Sequence, residues 1–107
     1  MIALIKDNRD AIVALCERFG VRRLALFGSA ATGSFDPATS HLDFVVDYFD
    51  WGAGIFHRFF GFIVALEDLF GRRVDMVTEP ITKSWLREEV TSTQVMIHES
   101  ARSESAA

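Results

Sequence analysis

Gly28-Ser29, His41, Asp43 and Asp75 are the residues of this chain whose types and spacing could do chemistry. A glycine lets a backbone approach a phosphate closely, and a serine hydroxyl with neighbouring N–H groups can bond its oxygens. The stretch GSAATGSFDPATSHLD opens on that pair and closes on His41-Leu42-Asp43. Side chains two apart on a strand point to the same side, so His41 and Asp43 project together. If a later strand carrying Asp75 pairs beside theirs, three ligand-type side chains meet near the Gly-Ser turn. Acids beside a phosphate-holding turn suit magnesium, which takes hard oxygen ligands and commonly shares them with substrate phosphates. Paired ions of this kind stabilise the attacking and leaving oxygens of phosphoryl or nucleotidyl transfer. From pattern alone the plainer reading stays open: Ser29 as an ordinary turn serine, Asp43 and Asp75 as exposed strand acids.

The elements that must position these residues can be read in order. Ile12, Leu15, Cys16 and Phe19 recur at helical spacing between a capping Asp7 or Asn8 and a terminating Gly20. Leu24 to Phe27 is a short buried strand, and Ser29 to Ser40 is a small, polar loop. Leu42, Phe44 and Val46 alternate with Asp43, Val45 and Asp47, a period-two strand whose greasy face packs inward while His41, Asp43, Val45 and Asp47 share the other. Asp50 to Gly54 turns the chain. Phe56, Phe59, Phe60, Ile63, Leu66, Leu69 and Phe70 then form a helical stripe expected to be core, stopped at Gly71. Val74 to Val77 is a strand with Asp75 and Val77 on one face, broken by Pro80. A weaker helix over 82–90 is anchored by Ile81, Trp85, Leu86 and Val90, and 94–98 forms a last strand.

The first two strands are joined too closely for a helical crossover, so they pair antiparallel, whereas the long helix can return a third strand beside the second. The expectation is an α/β (α+β) domain over residues 1–98: a mixed sheet of three to four strands, helices mainly on one face, and a disordered tail over 99–107.

Bulk properties bound the function. The chain has 107 residues, half of them hydrophobic, with ten phenylalanines and two tryptophans, enough for one core without staples. Its net charge of −4 and the lack of a basic stripe argue against direct nucleic-acid binding. Arg22-Arg23 and Arg72-Arg73 are only pairs, expected as solvated strand ends. A single cysteine, Cys16, rules out an internal disulfide and a cysteine zinc site, and lies on the apolar face of its helix. Charges at Lys6, Asp7, Arg9 and Asp10 interrupt any signal-like run, and no apolar stretch reaches membrane-span length, so a cytoplasmic protein with no membrane partner is expected. His57 and His98 make no metal-ligand spacing with His41.

The run LFGSAATGSFDPATSHLDFVVDYFD, with the later LFGRRVDMVTE, resembles the minimal nucleotidyltransferase family of the polymerase-beta superfamily, over nearly the whole chain to about Ile97. The family motif is a Gly-Ser turn, a loop, acid-x-acid on a strand, and a third acid on a following strand. The resemblance implies the polymerase-beta-type nucleotidyltransferase fold. It implies magnesium and a nucleoside triphosphate, usually ATP; manganese is the other ion considered for this chain. It implies a partner too: such proteins are often encoded beside a HEPN-domain ribonuclease toxin, whose tyrosine hydroxyl accepts the nucleotidyl group and is silenced. Gly28 and Ser29 would hold triphosphate oxygens, Asp43 would bind metal, and Asp75 would bind metal or deprotonate the acceptor.

Two positions depart from that pattern. Thr32 stands where many members have arginine. His41 stands where the family has its first metal-binding aspartate, so as a metal ligand it replaces fixed charge and hard oxygen with one nitrogen. The expected penalty is several kcal/mol, by analogy with roughly 3–4 kcal/mol for one preorganised donor. His41 is therefore read three ways: as an inactivating change, as a ligand favouring manganese or zinc, or as incidental. The alternative function is a non-catalytic antitoxin that neutralises its toxin by binding, through aromatics around Asp50, Trp51, Phe56 and Trp85. A chain this short must complete its acceptor site with a partner or with a second copy of itself.

Overall fold

A computed structural model describes residues 2–33 and 41–100. In chain order the elements are α1 (Ala3–Lys6), α2 (Arg9–Phe19), β1 (Val21–Phe27), α3 (Ser29–Thr32), β2 (Leu42–Tyr48), α4 (Ile55–Phe70), β3 (Val74–Thr78), α5 (Ser84–Thr93) and β4 (Val95–Glu99). The four strands form one mixed sheet in the order β3-β2-β1-β4. β1 pairs antiparallel with β2 and with β4, and β2 pairs parallel with β3. The long helix α4 supplies the crossover that a parallel pair requires. Gly20 and Gly71 end α2 and α4 in the left-handed conformation, at φ 71° and 65°, as stop signals read from the sequence should.

Strand alternation splits the apolar residues between two cores. Leu42, Phe44, Val46 and Tyr48 of β2 point to one face, with Leu24 and Leu26 of β1, and bury against Ile12 and Cys16 of α2 and Phe62, Leu66 and Phe70 of α4. A methyl added at Gly61 would lie 2.8 Å from the Phe19 ring, so α2 and α4 meet where a helix surface has no side chain. Burial also pushes the Cys16 thiol up to about 12, which leaves it an inert core group. On the opposite face Ala25, Phe27 and Val45 are covered by Val90 of α5, with Leu86 and Ile81 packed alongside. Helices thus lie mainly, not wholly, on one face. No described helix is long and apolar enough to cross a membrane.

Several expectations need correction. The stretch following Gly28 opens with a helical turn, α3, where a loop was expected, and residues 34–40 of that loop lie outside the described residues. The buried stripe of α4 is rotated from the expected one: Phe62, Leu66 and Phe70 are buried, while Phe56 and Phe60 are 75% and 59% exposed. Trp85 does not anchor α5; it is exposed, and Leu86 and Val90 take the sheet instead. Arg22 and Arg23 lie within β1 and are engaged. Arg23 pairs with Glu79 and Glu99, and Arg22 with Asp47 at 2.6 Å. β4 includes Glu99, and the Ser100 N–H donates to the Arg22 carbonyl at 2.9 Å; the remainder of the expected tail, 101–107, lies outside the described residues.

Candidate functional site

The parallel register of β2 and β3 makes Asp43 and Asp75 direct partners. Both side chains leave the sheet on the α5 face, because Leu42 and Phe44 on either side of Asp43 are drawn into the larger core. The backbone around them is fastened at two points. The Leu42 N–H donates to the Arg73 carbonyl at 3.1 Å, and the Val74 N–H donates to Glu67 Oε2 of α4 at 3.0 Å.

His41 immediately precedes β2 and reaches both acids. Its Nε2 lies 2.6 Å from Asp75 Oδ2 and 3.9 Å from Asp43 Oδ1. The shorter separation brings the imidazole into direct contact with the Asp75 carboxylate. Arg73 Nε stands 3.4 Å from the other Asp75 oxygen. Asp75 is therefore held from two directions, and the trio is partly open to water, with 44%, 27% and 37% of the side chains of His41, Asp43 and Asp75 exposed.

Gly28 ends β1 against Asp43. Its φ of 74° and ψ of −149° belong to a region that is essentially glycine's alone, and a Cβ built there would sit 3.0 Å from Asp43 Oδ2. The Gly28 N–H donates to Thr93 Oγ1 of α5 at 3.1 Å, while its carbonyl accepts from Ala31 and Thr32 to start α3. Ser29 follows as the first residue of that turn.

Burial raises the Asp43 carboxyl above the ordinary aspartate range, His41 opposes the rise, and the charges of Asp75 and Glu89 add to it. Glu89 was not read from the sequence. It arrives on α5, with Oε1 3.7 Å from the point where a Gly28 Cβ would lie. Neither it nor Thr93 shares a sequence motif with the turn, and only the packing of Val90 over Val45 brings them there. Asp47, expected on the same face, stands apart from the cluster: it accepts from Arg22 Nε at 2.6 Å and Trp51 Nε1 at 2.9 Å.

Among the described residues, His41, Asp43 and Asp75 are the group that could hold a metal ion, with one donor atom from each lying within 4.8 Å of the others. The two carboxylates fit a divalent cation. The imidazole is a poor magnesium ligand, since magnesium favours oxygen.

The sequence model for the nucleotidyltransferase domain matches residues 9–101. No curated protein matches the chain. Among solved structures, a minimal nucleotidyltransferase is 34% identical, with a TM-score of 0.70 over 85% of this chain and 90% of that one. A toxin–antitoxin complex with AMP-PNP matches at 19% identity and TM-score 0.69, over 92% of this chain and 79% of that one. An MNT antitoxin in complex with the tri-AMPylated HEPN toxin of Shewanella oneidensis belongs to a structure that matches at 18% identity and TM-score 0.63, over 89% and 72%. At these identities the two complexes speak to the fold.

Proposed function

Given that the chain belongs to the nucleotidyltransferase domain family, we propose that it transfers a nucleotidyl group, AMP from ATP, to a hydroxyl of a HEPN-domain partner and so serves as an antitoxin, at a rate held down by His41. The observation that carries this reading is the register of Asp43 against Asp75 beside the Gly28 turn. Two carboxylates on adjoining strands, beside a backbone bend that carries no side chain, are the groups that a divalent cation and a triphosphate would call on. The solved complexes of similar fold, one holding AMP-PNP and one an AMPylated HEPN toxin, support the choice of nucleotide and acceptor.

In this reading Gly28 and Ser29 orient the triphosphate. The acceptor oxygen attacks the α-phosphorus, the bond to the β-phosphate oxygen breaks, and pyrophosphate leaves. Asp43 fixes the electrostatics at the α-phosphate, and Asp75 either takes the hydroxyl proton or shares the cation with Asp43. A divalent cation held by Asp43 and Asp75 would neutralise charge on the triphosphate and the leaving group. The single buried thiol suits a reducing cytoplasm.

A second reading has an observation of its own. His41 Nε2 stands 2.6 Å from Asp75 Oδ2, engaging an oxygen the reaction needs, while Trp51, Phe56, Phe60 and Val64 present exposed apolar surface. A non-catalytic antitoxin that neutralises its HEPN partner by binding through that surface would carry both features.

One experiment separates them. The chain is incubated with a HEPN-domain protein, the product of the neighbouring gene in this reading, α-labelled ATP and magnesium or manganese. Label on the partner supports transfer, whereas a stable unlabelled complex supports binding alone. Neither label nor complex would overturn both.

A further inference from the structure

We propose that His41, Asp43 and Asp75 form a one-nitrogen, two-oxygen site that takes a borderline first-row ion of the zinc and cobalt class in preference to magnesium. The inference rests on the two-carboxylate site of the reading above, and not on its acceptor or partner.

The donor chemistry is the first argument. Magnesium asks for near-octahedral oxygen and retains several waters, whereas imidazole suits zinc, cobalt and nickel, and those ions also accept carboxylate. The geometry is the second. Donor atoms around one ion, at bonds of about 2.0–2.2 Å, are at most ~4.4 Å apart. The His41 nitrogen stands 2.6 Å and 3.9 Å from oxygens of the two carboxylates, and one donor atom from each of the three residues lies within 4.8 Å of the others, close to the span that a single ion sets. Orientation is the third. Arg73 stands beside Asp75 Oδ1 at 3.4 Å and leaves Oδ2 facing the imidazole. The absent side chain at Gly28 keeps the Asp43 flank clear. Three protein donors with an open side is the arrangement in which zinc keeps a position for a water or a substrate oxygen.

The test uses the full chain and the metals alone. Zinc and magnesium are titrated separately by calorimetry, and the imidazole nitrogens are followed by NMR. Zinc should bind one to one, at least ~100-fold more tightly than magnesium, and one zinc equivalent should shift the His41 ring nitrogens while magnesium leaves them in place. His41→Asp should lower the zinc-to-magnesium affinity ratio by at least ~10-fold, and Asp43→Asn or Asp75→Asn should weaken zinc by a similar factor. An unmoved His41 ring at one zinc equivalent overturns the proposal, and that readout needs no variant to fold. An unchanged ratio in His41→Asp overturns it as well, as does full zinc affinity in both asparagine variants, which would put the ion on His57 or His98. In each of those cases the nucleotidyl-transfer reading survives, because it is judged by label on the partner.

Discussion

His41 Nε2 lies 2.6 Å from Asp75 Oδ2 across the junction of two strands, and so ties the residue before β2 to the second residue of β3. One imidazole stands where a third carboxylate would leave both aspartates free. His41→Asp should therefore raise magnesium-supported transfer to the partner by on the order of 10²–10³, the reverse of losing one preorganised electrostatic group. Initial rates with α-labelled ATP check this. Equal rates for the two proteins would mean that position 41 does not limit the chemistry.

Asp43→Asn should abolish transfer and yet stabilise the fold near neutrality. Burial raises the Asp43 carboxyl in the folded chain, so ionising it costs stability. That cost is absent below the unfolded-state value, grows as pH rises past it, and is complete above the folded value. Melting curves should show the asparagine variant a few degrees higher at pH 7, with the gain gone in acid. A variant that melts lower at pH 7 would contradict the electrostatic account.

Gly28→Ala should damage both fold and site. A β-carbon at φ 74°, ψ −149° carries strain on the order of 1–3 kcal/mol, and it would also press on Asp43 Oδ2 at 3.0 Å. The expected fall in melting temperature is roughly 5–15 °C. Alanine tolerated with full stability would require a different path for the chain after β1.

Phe56→Ser and Phe60→Ser should leave the stability nearly unchanged, within about 0.5 kcal/mol by denaturant unfolding, because both rings are largely in water. Affinity for the HEPN partner should fall by at least ~30-fold for the double variant, the scale of one lost interface anchor. Undiminished complex formation would place the partner on another face.

Much of this architecture is legible in the residues. Leu42 to Asp47 alternate strictly, so the facing of Asp43 follows from period two, and the short connection before it dictates an antiparallel neighbour. The pairing of Asp43 with Asp75 likewise follows from a helix long enough to cross over. The face of α4 does not. Ile55, Phe56, Phe59, Phe60, Phe62, Ile63, Val64 and Leu66 crowd most of its circumference, so several stripes satisfy a 3.6-residue period, and only packing against Phe19 and Phe44 selects among them. Glu89 and Thr93 were hidden for another reason: they approach Gly28 from a helix that covers the second face of the sheet, a contact no local pattern encodes. The turn at Ser29–Thr32 is too short to show any period at all.

The strand order gives the two aspartates unequal footing. β2 is laced to a neighbour on either side, whereas β3 runs along the rim and has one. Asp43 therefore stands on a strand whose backbone is bonded along both edges, and Asp75 on one bonded along a single edge, so the inner acid is the more firmly seated of the two.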